Sequence, residues 1–223
     1  MGPSQLKLRH VQCDLSDRAQ VERALAEVAD FLAVDAPTGG ILLVNNSGFG
    51  VYGKFPEGGT GQQLEMVDLN VCAVLQMTGA LLPALKARGG AIITVASTAA
   101  FQPTPFLATY GATKAFVLHW SLGLNEELRG SGVRALALCP GPTATSFFQR
   151  AGLQEGSVPN MFGETSERVV LVSLRALASG KSMVVSGWKN KVMAAVATKF
   201  PKPLVAWVTG RALAHFRMKR AKP

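Results

Sequence analysis

Apolar and polar positions alternate along this chain in two distinct patterns. Val21, Ala24, Leu25, Val28 and Leu32 recur at helical spacing just after Ser16 and Asp17, residue types that favour a helix start. Residues 41–44, Ile-Leu-Leu-Val, form a short and wholly apolar run, the pattern of a strand buried on both faces. Residues 91–96 and 133–138 repeat that pattern, and 183–185 are a shorter version of it. Residues 6–15, beginning Leu-Lys-Leu-Arg-His-Val-Gln-Cys, predict a further strand running into Asp14. Helices are predicted over about 62–85, from near Tyr110 to 128, and from Thr165 or Ser166 to 178. Pro37-Thr38-Gly39-Gly40 and Gly130-Ser131-Gly132 break the chain between them, and 147–162 read as irregular. Short apolar strands alternating with helices predict an α/β fold with a parallel sheet covered on both faces.

In such sheets the chemistry gathers beyond the carboxyl ends of the strands. The polar and glycine residues of this chain follow that rule. Asp14, Asn45-Asn46-Ser47-Gly48, Ser97 and Pro140-Gly141-Pro142 each stand just past a predicted strand. Tyr110 and Lys114 lie one helical turn apart, so a phenol and an ammonium share a face. A free phenol has a pKa near ~10, and a neighbouring ammonium favours its ionised form, bringing it toward acid–base work. Taken alone, Tyr-x-x-x-Lys fits an ordinary helix with a half-buried Tyr and a solvated Lys. Its agreement with the strand-end residues is what gives it weight.

The joint pattern carries a resemblance. Asp14-Leu15-Ser16-Asp17, Asn45-Asn46-Ser47-Gly48, Asn70, Ser97, Tyr110-x-x-x-Lys114 and Pro140-Gly141-Pro142-Thr143-Ala144-Thr145 resemble, in order and spacing, the short-chain dehydrogenase/reductases. The likeness covers about residues 6–187 and is similar to the bacterial branch that reduces acyl groups or ketones. It implies a Rossmann-like doubly wound parallel sheet and an oxidoreductase moving a hydride between nicotinamide and a carbonyl or alcohol. It implies Tyr110 as acid/base, Lys114 as the residue that lowers the tyrosine pKa and holds the ribose, and Ser97 as the hydroxyl that orients the substrate oxygen. It implies that Asn70 positions a water in the proton relay. Asp14 and Leu15 would meet the adenine, while Asn45, Ser47 and Gly48 would line the cofactor groove. Pro140, Gly141, Thr143 and Thr145 would embrace the nicotinamide end. NADP is the implied cofactor, with NAD as the alternative, and a homo-dimer or homo-tetramer is the implied assembly. Phe101, Phe106, Phe147, Phe148 and Met161 read as pocket wall, for an apolar substrate. His119 is out of register with Tyr110 and Lys114 and reads as structural.

One part of the family pattern has no counterpart in these 223 residues. The family opens with a strand, a Thr-Gly-x-x-x-Gly-x-Gly turn and a helix, a βαβ unit of roughly 40–50 residues that cradles the pyrophosphate. Only a dozen or so residues precede Asp14, so the Rossmann-like sheet reads as N-terminally truncated. A misassigned start, a truncated product that does nothing, and a fragment that folds with 6–15 moved against 41–44 are the competing accounts, and the first is favoured. An inactive remnant acting through oligomerisation or surface binding is the alternative function. For the chain as written, weak or absent cofactor binding is the expectation, and low-micromolar dinucleotide affinity would contradict it.

Charge changes the picture only at the C-terminus. Residues 1–187 hold 14 basic and 14 acidic side chains, while 188–223 hold nine basic and no acidic ones, which together give the net charge of +9. The neutral body offers no case for nucleic acid. In the tail, Val192, Met193, Val196 and Phe200 form an apolar stripe, broken at Pro201 and Pro203 and continued by Leu204, Trp207, Val208 and Leu213. The 188–223 extension reads as a basic amphipathic helix pair. It can meet an anionic membrane, lie as a lid over the substrate, or be an ordinary docked helix. Cys13, Cys72 and Cys139 have no metal-ligand spacing and read as buried free thiols. With no signal-peptide pattern and no stretch near ~20 apolar residues, a soluble cytoplasmic protein is expected.

Overall fold

The computed structural model describes residues 7–55, 57, 59–143, 147–152 and 163–217. Four strands form one parallel sheet: β1 (Ile41–Asn45), β2 (Gly90–Val95), β3 (Val133–Cys139) and β4 (Met183–Val185), in the order β1-β2-β3-β4. The helices are α1 (Arg18–Val34), α2 (Thr60–Val67), α3 (Ala73–Arg88), α4 (Ala108–Glu127), α5 (Phe147–Arg150), α6 (Ser166–Ala178), α7 (Trp188–Lys199) and α8 (Lys202–Arg217).

The strands close as they do because both faces of the sheet are apolar. On one face Leu43, Ile92 and Ala135 stand in register across three strands and pack on Leu81 and Leu85 of α3 and Leu124 of α4. On the other face Ile93, Leu136, Leu138 and Val184 pack on Val169 and Ala176 of α6. That second face is only partly covered. Leu42 and Val44 of β1 are 47% and 49% exposed, so β1 is an edge strand with one bare apolar side. The β1–β2 register depends on Gly90. Its φ is +154°, and a Cβ there would stand 2.0 Å from the Ile41 carbonyl oxygen. Gly90→Ala is expected to cost about 3 kcal/mol, read as a lowered thermal midpoint.

Residues 7–15 correct the sequence reading. They form no strand and pair with nothing in the sheet, and β1 stays the edge. An alternating segment becomes a strand only when a ladder accepts its N–H and C=O groups, and residues 7–15 do not pair with the open edge of β1. The segment instead leads into a well-made helix start. The Asp14 carboxylate accepts from the Ser16 N–H at 2.9 Å and the Ser16 hydroxyl at 2.7 Å, and Asp17 caps α1 by accepting from Ala19 and Gln20.

Two further expectations change. Only Cys139 is buried, and Cys13 and Cys72 are partly exposed. The helix from Thr60 to Arg88 runs 29 residues with a mean hydropathy of 1.4 in its most apolar window, long and apolar enough by those two measures to cross a membrane. In this fold its Val74, Leu81 and Leu85 are buried core residues. The helix is also not regular. Asp68–Cys72 form a π turn between α2 and α3, with Asn70 at its centre.

Candidate active site

The carboxyl ends of β1, β2 and β3 open on a cleft of about 2010 Å³. Ser97 lies just beyond β2, in extended backbone, capping a 3-10 turn over Thr98–Phe101 by accepting from the Ala99 N–H at 3.1 Å. The adjoining chain is fixed from β3's side, since Thr98 N–H donates to the Pro140 carbonyl at 2.9 Å. Ser97 and the Pro140 loop are therefore held as one unit.

Tyr110 and Lys114 come from the first turns of α4, and both are buried. That helix is pressed against the loop ahead of it. A Cβ on Gly111 would lie 2.0 Å from the Thr104 hydroxyl, which itself donates to the Leu107 carbonyl at 3.0 Å. No side chain fits there, and the close approach seats Tyr110 against Phe147, ring centroids 5.2 Å apart. In the same loop Phe106 takes a left-handed φ of 67°, and its carbonyl accepts from the Gly53 N–H. Strain of this kind is held at sites that surrounding contacts over-determine.

Lys114 donates through Nζ to the Val95 carbonyl at 2.8 Å and stands 5.9 Å from the Tyr110 ring centroid. Burial opposes its charge and lowers its pKa from 10.5 to about 8. Burial likewise raises Tyr110 to about 12, against a downward pull from its hydrogen bond with Ser97. The expected lowering of the tyrosine pKa is not what this arrangement gives. Desolvation outweighs the Ser97 bond, and the phenol keeps its proton throughout the physiological range. Cys139, beside Lys114, is raised to about 12 by burial and stays a neutral thiol.

Asn70 uses the π turn to reach inward. Its amide donates to the Phe49 carbonyl at 3.0 Å and to the Thr113 hydroxyl at 3.0 Å, and its oxygen accepts from the Phe49 N–H at 3.1 Å. It thereby pins the loop after β1. Gly48 in that loop has no room for a Cβ, which would lie 2.8 Å from Asn70 Oδ1 and 3.2 Å from Lys114 Nζ. Asp14, Leu15, Ser47, Gly48, Pro140, Gly141 and Thr143 border the same cleft as Ser97, Tyr110 and Lys114. Asn45 does not, because its amide turns away to donate to the Thr78 hydroxyl of α3 at 3.0 Å. Thr145, Phe148's side chain and Met161 lie outside the described residues.

Several contributors were not read from the sequence. Thr113 bridges Asn70 to α4, and its hydroxyl also donates to the Tyr110 carbonyl at 2.7 Å. Asn190 of α7 fills the space beside Gly141, where a Cβ would meet its amide at 2.2 Å. Only the absence of a side chain at Gly141 hints at such an approach, and its partner is 49 positions away. The tail docks on the body. Lys202 donates to the Phe101 carbonyl at 3.1 Å, Thr209 donates to the Pro103 carbonyl at 3.0 Å, and the Tyr52 hydroxyl donates to the Leu213 carbonyl. Both α7 and α8 border the cleft. Among the described residues no group of three His, Cys, Asp or Glu is placed to hold a metal ion.

The parallel α/β sheet thus brings a serine, a tyrosine and a lysine together past its strand ends. The chain belongs to the short chain dehydrogenase family, whose model matches residues 3–156. It is 36% identical over 148 residues to serine 3-dehydrogenase of Agrobacterium fabrum (strain C58 / ATCC 33970), covering 65% of this chain and 57% of that one. It is 36% identical over 133 residues to the NADP-dependent 3-hydroxy acid dehydrogenase YdfG of Escherichia coli (strain K12), covering 58% and 51%. The chain thus spans little more than half the length of these curated relatives. Among solved structures, a short-chain dehydrogenase from Sphingobium yanoikuyae in complex with NADPH superposes with a TM-score of 0.71 at 28% identity, over 84% of this chain and 72% of that one. A short chain dehydrogenase from Burkholderia cenocepacia J2315 in complex with NADP does so at 0.71 and 27%, over 92% and 80%.

Proposed function

We propose that this cleft carries out NADP-dependent reduction of a carbonyl on an apolar substrate, with NAD as the weaker cofactor. The observation that carries the reading is the cluster of a half-buried Ser97 with the buried Tyr110 and Lys114 at the strand ends. The nicotinamide end of a dinucleotide fits the residues present. Lys114 uses one of its three protons on Val95, which leaves two for a ribose diol. Pro140, Gly141 and Thr143 would flank the nicotinamide, and Asp14, an acceptor with a pKa held down by its Ser16 hydrogen bonds, would meet the adenine amine. Thr145 and Asn45 remain in the proposed set through the family resemblance alone.

When bound, the nicotinamide supplies the hydride for the carbonyl carbon. Tyr110 then gives its proton to the carbonyl oxygen. A phenol held near a pKa of about 12 is a ready donor to an alkoxide, a much stronger base than a phenolate, and is a poor base at neutral pH. Ser97, hydrogen-bonded with Tyr110, orients the oxygen and shares its developing charge. The partly desolvated Lys114 ammonium steadies the phenolate left behind. Asn70 is the positioning residue that keeps the loop after β1 in place. An inert remnant is the less favoured reading, because these four side chains stand together. The bare β1 face and Phe147 give the cleft an apolar wall. Assembly as a homo-dimer or homo-tetramer would use faces such as that of Leu75 and Phe116, which are 38% and 43% exposed.

A substrate panel at millimolar NADPH tests the reading. Long-chain or aryl ketones and aldehydes are expected to be reduced at least about tenfold more efficiently than serine-sized polar carbonyls. Equal or reversed preference would overturn the apolar assignment.

A further inference from the structure

We propose that α7 and α8 form a docking surface for an anionic phospholipid bilayer, with the mouth of the cleft turned toward the lipid. The inward faces of the two helices are packed against the body. Asn190, Ala194 and Ala197 of α7 and Val205 of α8 are buried, and Thr209 is bonded to the Pro103 carbonyl. Their outward faces are apolar nonetheless. Trp188, Val192 and Val196 fall on one side of α7, at spacings of four, Phe200 follows at its C-terminal end, and the four are 71%, 55%, 50% and 51% exposed. Trp207 and Val208 continue the patch on α8 at 56% and 51%. A patch of this extent is costly in water and marks an interaction site.

Charge selects the partner. Residues 188–223 carry nine basic side chains and no acidic one, beside a neutral body. Two of the cations sit directly over the tryptophans: Lys189 Nζ is 5.8 Å from the Trp188 ring, and Arg211 is 4.0 Å from the Trp207 ring. An indole capped by a cation suits the headgroup layer, where the ring enters the acyl boundary and the cation meets phosphate. A nucleic-acid surface would call for the cations without an apolar stripe between them. Trp188, Val192, Val196, Phe200 and Val208 also border the cleft, so a ligand dissolved in the bilayer would reach it without crossing water. The docking itself does not depend on the proposed reductase activity and is measured without cofactor.

The experiment is co-sedimentation of the full chain with phosphatidylcholine vesicles, with and without phosphatidylglycerol, at low and high salt. Binding is expected on the anionic vesicles, at least about tenfold weaker on neutral ones, and falling with salt. Trp207→Glu, and separately Lys199→Glu combined with Arg211→Glu, are each expected to weaken it at least about tenfold. Circular dichroism melting checks that both variants remain folded. Equal binding to both vesicle types, no binding to either, or binding untouched in the folded variants would overturn the proposal. So would tighter binding to duplex DNA than to anionic vesicles at the same salt.

Discussion

Tyr110→Phe is expected to lower the turnover of NADPH-dependent carbonyl reduction by about 10²–10⁴-fold. The substitution deletes one oxygen and nothing else. The ring keeps its contact with Phe147, and the packing of α4 against the Pro103–Leu107 turn, set by Gly111 and Thr104, is untouched. What disappears is the proton donor and its hydrogen bond with Ser97. The net value of one such bond is about 1 kcal/mol, so the thermal midpoint should move by no more than about 4 °C. A large kinetic loss with a small change in melting separates a chemical role from a structural one. If Tyr110 were only a packed aromatic, both quantities would stay near wild type.

Lys114→Met should do the reverse to stability while also abolishing activity. Lys114 is the costliest buried cation of the site. Its pKa is drawn from 10.5 to about 8, which corresponds to about 3 kcal/mol of opposition to the charged form. For a base whose folded pKa lies below its unfolded one, the unfolded chain binds more protons between those two values. The penalty is therefore complete below pH 8 and fades as pH rises to 10.5. Methionine removes it, and leaves the Val95 carbonyl without its donor, a loss of about 1 kcal/mol. The net expectation at pH 7 is a protein more stable by about 2 kcal/mol, melting about 4–8 °C higher. Melts of the two proteins at rising pH should converge between 8 and 10.5 and then cross. A residue that destabilises its fold and persists in a cleft beside Tyr110 is the pattern of stability exchanged for function. Constant destabilisation of Lys114→Met at every pH would show that the ammonium serves only as a structural donor.

Much of this was legible in the sequence because the governing physics is local. Residues 41–44, 91–96 and 133–138 are apolar without alternation, and strands buried on both faces must be. Asp17 caps α1 and Thr165 caps α6 through bonds to backbone N–H groups two or three residues on, well within reach of sequence reading. The converging residues past the strand ends followed from parallel topology. The failures were of the other kind. Residues 7–15 have a strand's composition and lack a strand's partner, which no local pattern reveals. The π turn at Asn70 has the composition of an ordinary helix, and only the bonds to Phe49 and Thr113 disclose why the helix opens there. The spacing shows that Lys114 is near Tyr110, but the direction of the tyrosine's pKa shift depends on how completely water is excluded, which no spacing reveals. The docking of α8 through Lys202 and Thr209 joins residues about a hundred positions apart, beyond any periodicity.

The Ser97–Tyr110–Lys114 cluster of this chain is expected to move a proton onto a carbonyl oxygen as a hydride reaches the carbon. Its most direct test uses NADPH carrying deuterium at both nicotinamide C4 positions, at millimolar concentration, with a long-chain or aryl ketone. The label is expected on the carbinol carbon of a single alcohol enantiomer, and no labelled alcohol is expected from Tyr110→Phe in the same time. Unlabelled or absent alcohol from the wild-type chain, or equal labelling by Tyr110→Phe, would contradict the account.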